Sequence, residues 1–307
     1  MQTTSNILMI RPVAFGYNDQ TAGSNSFQNL EFNDPGLVNA KALQEFDTMV
    51  LILKNHGVDV LVVDDTIEPA TPDSIFPNNW ISFHDDGSLV LYPMEAINRR
   101  LERRDDILST ITSHGFNIIK KYDLTHHEMD EKYLEGTGSL VLDRENKIAY
   151  ACISSRTNEE VLSEFASLLK YKIISFHSFF ENKPVYHTNV IMSVGENYCV
   201  VCLDSITDGR ERKIVKEKLE STQKEIIDIT IKQMGSFAGN MLQLRSKNGD
   251  LLMVMSKSAH DSLNELQLAN LSLHGKLIVP DLQTIETNGG GSARCMIAEV
   301  FLPKDNK

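Results

Sequence analysis

The chain lacks the features that would send it across or into a membrane. No Lys or Arg precedes the short apolar stretch within residues 1–10, and that stretch is too brief for a secretory core. The longest uninterrupted apolar runs, such as Ile148 to Ile153, cover about six residues against the roughly 20 that cross a bilayer. Four cysteines among 307 residues are too few for a disulfide framework and fit reduced thiols. Together these absences predict a cytoplasmic protein with no membrane partner.

Positive charge is also scarce. Thirty Lys and Arg stand against 42 Asp and Glu, so the net charge of −12 repels a polyanion and argues against nucleic acid. The phosphate-loop pattern GxxxxGK followed by Ser or Thr is missing, and Gly136 and Gly138 fail GxGxxG because Val141 stands at its third position. His126-His127-Glu128 does not extend to HExxH and reads as a polar loop, so no metal is expected. Cys199 and Cys202 form a CxxC, but within a β-branched run that reads as a strand, where residues three apart face opposite sides. That pair is expected to be structural. No stretch is rich enough in Pro, Gly or Ser to link two domains. A small molecule is the expected partner; self-association into a homo-oligomer stays open.

What the chain has is an ordinary globular composition, 41% apolar and 23% charged, and a recurring order of elements. Phe76 to Met94 reads as two strands turning at Asp85-Asp86-Gly87, followed by a helix from Ile97 to His114 and a strand from Asn117 to Tyr122. The pattern returns as Ser139 to Ile153 turning at Arg144-Glu145-Asn146, a helix from Glu159 to Lys170, and the strand Lys172 to Phe176. A third copy starts at Thr188, turns at Gly195-Glu196-Asn197, and runs through a helix at Glu211 to Leu219 to the strand Glu225 to Ile229. A fourth starts at Asn240, turns at Lys247-Asn248-Gly249, and passes through a helix at Ser258 to Ala269 to the strand Lys276 to Val279. The strand Cys295 to Leu302 has no helix after it, while the first part of the chain supplies the strand Ile7 to Arg11, the helix Leu37 to His56 and the strand Val58 to Val63. Joined, the two ends make a fifth unit, and pairing of first with last strand removes the open edge. The expected fold is α/β (α+β): a single domain over residues 1–307, a propeller of five ββαβ blades with pseudo-fivefold symmetry. The competing reading is an α+β protein whose alternating elements only look periodic.

If the blades are equivalent, the residues that open each first strand face a common axis where a pocket would form. The openings are Pro77-Asn78-Asn79-Trp80, Glu135-Gly136-Thr137-Gly138, His187-Thr188-Asn189, Gly239-Asn240-Met241 and Gly289-Gly290-Gly291-Ser292-Ala293-Arg294-Cys295. From Asn79 through Glu135, His187 and Asn240 to Cys295 the intervals are 56, 52, 53 and 55 residues. A carboxylate, an imidazole and a thiol thereby take the same place in three blades. A thiol becomes a strong nucleophile when its ionised form is stabilised, an imidazole can shuttle the proton, and a carboxylate can orient the imidazole or grip a cation. Alone, each has a bland alternative: a buried thiol, a hydrogen-bonded histidine, a Glu-Gly turn. Only the shared register lifts them.

Phe76-Pro77-Asn78-Asn79-Trp80-Ile81-Ser82-Phe83-His84, His187-Thr188-Asn189-Val190 and Gly289-Gly290-Gly291-Ser292-Ala293-Arg294-Cys295-Met296 resemble motifs of the guanidino-group-modifying enzymes of the pentein fold, above all the citrulline-utilisation hydrolase branch. The resemblance runs from about Ile7 to Leu302. It implies Cys295 as nucleophile, His187 as general acid and base, and Glu135 as the carboxylate that orients His187 or holds substrate nitrogens. It implies Arg156, and Arg99 or Arg100, as arginines that meet a substrate carboxylate; the other reading of Arg99 to Arg104 is a solvated basic helix face. Where many relatives place an acid for the guanidinium, this chain has Asn78 and Asn79, with Asp73 nearby. An amide suits a neutral ureido group, which leans the reading toward citrulline over arginine. Asn240, at the fourth blade head, is a further candidate substrate contact.

The activity so implied is hydrolysis at a guanidino or ureido carbon through a covalent thiol intermediate, with no metal or organic cofactor. Transfer to an amine in place of water is a second reading. A non-catalytic pentein that only binds is a third, though it would have no need of Glu, His and Cys at matching heads. A cysteine peptidase of another fold would place its Cys at a helix start.

Overall fold

In the computed structural model, residues 1–29 and 34–305 are described. Among them lie five three-stranded sheets that share one local plan. In four, two strands form an antiparallel hairpin and a third, reached through a helical segment, runs parallel to the second. The hairpins are Ile81–Phe83 with Ser88–Leu91, Leu140–Asp143 with Ile148–Cys152, Met192–Val194 with Tyr198–Val201, and Leu242–Arg245 with Leu251–Val254. Their parallel partners are Lys120–Asp123, Lys172–Phe176, Glu225–Asp228 and Lys276–Ile278. The turns follow from their residues: Gly87 takes the left-handed φ of +80°, and the Asp86 carboxylate accepts the Ser88 N–H at 3.0 Å.

The fifth sheet joins the two ends of the chain as the split repeat predicts. Asn6–Arg11 runs parallel to Asp59–Asp64 through the helix Pro35–Asn55 and antiparallel to Ala298–Glu299, with Ile7 opposite Glu299 and Leu8 opposite Ala298. The helices begin where capping residues stand. Asp34, Asn158 and Asp208 accept backbone N–H groups at the starts of Pro35–Asn55, Glu159–Leu169 and Gly209–Ser221, each cap contributing about 1 kcal/mol. Glu159–Leu169 buries Val161, Leu162, Phe165, Ala166 and Leu169 on one face, while Leu168, at its edge, is only partly buried.

Three expectations need correction. The helix expected from Ile97 to His114 is a 3-10 segment, Asn98–Glu102, followed by the helix Asp105–Ser113. Arg104 breaks it by adopting extended backbone while its guanidinium grips Asp65 and Asp106. The helix expected from Ser258 to Ala269 is two, Lys257–Ser262 and Glu265–Leu273, because Asn264 with Gln267 forms a capping box that starts a new helix. The strand expected from Cys295 to Leu302 shrinks to Ala298–Glu299. Cys295 N–H donates to the Ser292 carbonyl at 2.9 Å and Ile297 N–H to the Arg294 carbonyl, so the thiol sits on a turn. A helix at Gln283–Gly289 leads into that turn.

The blade heads likewise do not open strands directly. Pro77–Asn79, Gly136–Ser139 and Thr188–Ile191 each make one helical turn before their strand. These turns are stitched together. Thr137 Oγ1 donates to the Asn78 carbonyl at 3.3 Å, Thr188 Oγ1 to the Ser139 carbonyl at 2.5 Å, Asn240 Nδ2 to the Asn189 carbonyl at 2.9 Å, and Arg294 N–H to Asn240 Oδ1 at 3.1 Å. Each bond joins one head to the next along the chain. Among the described residues no helix is long and apolar enough to cross a membrane.

Candidate active site

The stitched heads bring six of the nine expected site residues to one small cavity, while Glu135, Asn78 and Asn240 stand outside its lining. It is lined by Asp73, Asn79, Arg99, Arg156, His187 and Cys295, by Tyr186 and the Gly289-Gly290-Gly291 run, and by Thr21 and Asn25 from the first part of the chain. Its volume is about 10 Å³, room for roughly one water. Thr21 and Asn25 were not legible as site residues, since residues 12–29 carry neither helical nor strand periodicity.

His187 Nε2 lies 2.8 Å from Glu135 Oε2, and both side chains are almost wholly buried. Burial pushes the imidazole down to about 4, with the Glu135 hydrogen bond opposing the drop. Burial acts the other way on Glu135, but the Arg156 guanidinium, the His187 hydrogen bond and Arg99 outweigh it and hold the carboxylate well below its usual range. At neutral pH the pair is therefore a carboxylate and a neutral imidazole. Glu135 is reached because Gly136 follows it. Gly136 adopts φ +47°, and a Cβ there would run into the Asn78 carbonyl.

Arg99 is not a solvated helix residue. Its Nε and Nη2 pair with both oxygens of Glu102 at 2.9 and 3.0 Å, and Nη1 donates to Asn79 Oδ1 at 2.8 Å. Glu102 is pushed up to about 8 by burial, with Arg99 opposing. Arg100 turns to the Met94 carbonyl and Glu128, outside the cavity. Arg156 stacks on the Tyr186 ring, 4.9 Å from its centre, and donates to Ser24 Oγ at 2.8 Å and the Thr21 carbonyl at 3.0 Å. The Tyr186 hydroxyl donates to the Gly290 carbonyl, where φ of +62° ends the preceding helix.

The amides divide. Asn79 and Asn78 lie side by side, with Asn79 Nδ2 donating to Asn78 Oδ1 at 3.0 Å, while Asn78 Nδ2 has no partner among the described residues. Asp73 Oδ2 accepts from Asn18 at 2.7 Å, and its Oδ1 is buried without a partner among those residues. Asn240 reaches the Cys295 thiol: its Nδ2 lies 3.3 Å from Sγ, and Asn189 Nδ2 lies 3.4 Å from it. Asn189 is a residue the sequence reading passed over, although it stands two places after His187 in the same blade head.

Cys152, Cys199 and Cys202 are free and buried, and burial pushes all three up, Cys152 to about 12. Cys199 and Cys202 sit in one apolar cluster, as a structural pair would. His127 meets Glu164 at 2.7 Å with His126 beside it, while Glu128 turns to Arg103.

A family model described as "N,N dimethylarginine dimethylhydrolase, eukaryotic" matches residues 11–302. The chain belongs to that family. Among solved structures, a cyanobacterial arginine dihydrolase of the ornithine-ammonia cycle, ArgZ, superposes with a TM-score of 0.75 at 17% identity, covering 98% of this chain and 41% of that one. This chain thus spans about two fifths of that relative. The isolated N-terminal domain of ArgZ, covalently bound to a reaction intermediate, matches with a TM-score of 0.74 at 18% identity over 97% of this chain and 99% of that one. A dimethylarginine dimethylaminohydrolase adduct with S-methyl-L-thiocitrulline matches with a TM-score of 0.66 at 14% identity over 97% and 100%. No curated protein sequence matches significantly. The family is the guanidino-modifying superfamily that the blade-head motifs resemble, and the mixed α/β fold with small sheets is shared with these structures.

Proposed function

We propose that this protein hydrolyses the ureido or guanidino carbon of an amino acid of the citrulline and arginine type, with Cys295 as nucleophile and citrulline as the favoured substrate. The observation that carries the reading is the convergence of Cys295, His187–Glu135 and the Asn79 carboxamide on one buried cavity. Cys295 Sγ, as thiolate, bonds to the trigonal carbon; a carbon–nitrogen bond breaks, and the departing amine takes a proton drawn from solvent water through His187. His187 then removes a proton from water, the resulting hydroxide adds to the S-linked carbon, and the carbon–sulfur bond breaks to return the thiolate. For citrulline the products are ornithine and carbamate. Arg156 exchanges its bonds to Ser24 and Thr21 for the substrate carboxylate, and Asp73 Oδ1 accepts a substrate N–H.

The lean to citrulline rests on Asn79. Arg99 can only donate, so its bond fixes the Asn79 amide with Oδ1 toward Arg99; one Nδ2 hydrogen goes to Asn78 Oδ1, and the second is what Asn79 can offer a ligand. A ureido oxygen accepts that donor, whereas a guanidinium has only donors of its own. The family name and the neighbours named for arginine make arginine and methylated arginines the necessary comparison substrates. In the same proposal the five sheets stand around one axis. The head-to-head bonds support it, as does the contact of Ala298–Glu299 with Ile81–Phe83, which would link the fifth sheet to the first.

The test is incubation with citrulline, arginine, dimethylarginine and agmatine, with products read by mass spectrometry beside a Cys295→Ala control. Ornithine from citrulline, absent in the control, is expected. Citrulline from arginine as the dominant reaction would transfer the reading to the guanidino substrate, and no turnover of any would overturn it.

A further inference from the structure

Two side-chain amides converge on Cys295 Sγ, and among the described residues the imidazole of His187 makes no hydrogen bond to it. Asn240 Nδ2 lies 3.3 Å from the sulfur and Asn189 Nδ2 3.4 Å from it. The Asn240 amide cannot be turned around. Arg294 N–H donates to its Oδ1 at 3.1 Å, and its Nδ2 donates to the Asn189 carbonyl at 2.9 Å. A backbone N–H only donates and a carbonyl only accepts, so the orientation is fixed: Nδ2 is the nearer atom to the sulfur, and Oδ1 lies 3.7 Å from it as an acceptor for the thiol form. Asn189 is simpler still. Its Nδ2 bond to Sγ is the one side-chain hydrogen bond it makes among the described residues, and its Oδ1 is buried with no partner there. Burying that amide costs stability with little visible return in the fold, which points to the sulfur as the reason for it.

We propose that Asn189 and Asn240 form an anion cradle that holds Cys295 as a thiolate before substrate arrives, in place of an imidazolium at His187. The proposal rests on Cys295 being the nucleophile of the reaction described above. Hydrogen bonds to an ionised acceptor are the strong ones, and in a buried site they are screened little. Other charged groups near the sulfur are already committed. Arg294 is paired with Glu299 and the Ile297 carbonyl, Arg99 with Glu102, and Arg156 with Glu95 and the Glu135 carboxylate; the Tyr186 hydroxyl donates to Gly290, and Asp73 accepts from Asn18. Neutral donors also suit a nucleophile better than a cation would. They favour ionisation without depressing basicity so far that attack slows. With the thiolate charge held by amides, His187 stays neutral and free to move protons at the leaving nitrogen and the water.

The experiment reads ionisation directly and needs no substrate. Iodoacetamide alkylation of Cys295, located by peptide mass spectrometry, and thiolate absorbance near 240 nm are followed against pH for the parent, Asn189→Leu, Asn189→Ala and His187→Gln, with Cys295→Ala as blank. In Asn189→Leu the midpoint is expected about one pH unit above the parent, a tenfold loss of thiolate at a given pH, the scale of one lost bond to a charged group. Asn189→Ala, which opens space instead of filling it, gives the same reading if the Leu variant loses its native melt. His187→Gln is expected to leave the midpoint in place. An unmoved midpoint in both Asn189 variants, or an upward move in His187→Gln, overturns the cradle. Because alkylation is independent of turnover, a shifted midpoint in a protein that hydrolyses none of the candidate substrates would leave the cradle standing while the proposed function fails.

Discussion

Arg99 Nη1 donates to Asn79 Oδ1 at 2.8 Å, and this bond decides what Asn79 can offer a ligand. Glu102 holds the other edge of the same guanidinium, so the donor is fixed in place from behind. Replacing Asn79 by Asp removes the NH2, with both its bond to Asn78 Oδ1 and the hydrogen it can offer a ligand, and puts an acceptor in its place. Asn79→Asp is expected to lower kcat/KM for citrulline by about a hundredfold or more, because sites built to hydrogen-bond one group reject ligands that leave buried polar atoms unpaired. The ratio of arginine to citrulline turnover rises in the same variant. Steady-state kinetics on both substrates checks this, and an unchanged ratio would remove Asn79 from the specificity argument.

Glu135→Gln keeps the shape at His187 but loses the charge and fixes no single tautomer. A drop of about 10² to 10⁴ in kcat is expected by analogy with other carboxylate-supported histidines, with little change in the thermal melt. Pre-steady-state measurement of the S-linked intermediate tells which half of the cycle suffers.

His187 also ties stability to pH. Its folded-state value of about 4 lies below the ordinary 6.5, so the unfolded chain binds more protons between those values. Stability from this residue is present above about pH 6.5 and is lost as pH falls toward 4. Between pH 7 and pH 5 the loss amounts to about 2 kcal/mol on this scale. Urea midpoints at the two pH values measure it, and His187→Gln is expected to flatten the difference.

Arg156 meets Ser24 and Thr21 in the structure, and in the proposed reaction it must release them for a carboxylate. Arg156→Lys keeps the charge but not the two-pronged geometry. A rise in KM of about tenfold or more is expected for substrates with a free carboxylate, and a smaller one for agmatine, which has none.

Gly136 offers a structural control. Its backbone is left-handed and a Cβ would strike the Asn78 carbonyl, so Gly136→Ala is expected to cost about 2 kcal/mol or more and to lower the thermal melt by several degrees. Gly249, also left-handed but with open space around its Cβ position, is expected to tolerate the change better.

Much of this site was readable because repetition carries information that single residues do not. Glu135, His187, Asn240 and Cys295 fall at near-equal intervals, and that regularity places them at equivalent heads before any contact is known. Strand pairs were readable where turn residues stand between β-branched runs, as at Arg144-Glu145-Asn146. Helix interruptions were not, since Arg104 and Asn264 act through side-chain partners that only the fold assembles. The role of Asn189 was hidden for the same reason. Its amide means nothing until the turn at Ser292 to Cys295 folds against it, and a glycine-rich segment gives no periodicity from which to place that turn. Thr21, Ser24 and Asn25 were hidden because their contacts lie more than 100 residues away in Arg156 and Gly290.

The pairing of Leu8 with Ala298 spans almost the whole chain. During synthesis the strand Asn6–Arg11 can meet Asp59–Asp64 early, yet its other edge stays open until Ala298–Glu299 has been made. Such distant pairing closes slowly and exposes a sheet edge while it waits. Cys295 lies three residues before that strand. A chain that stops short of Ala298 has Asn189 and Asn240 already made but no partner for the outer edge of its first strand.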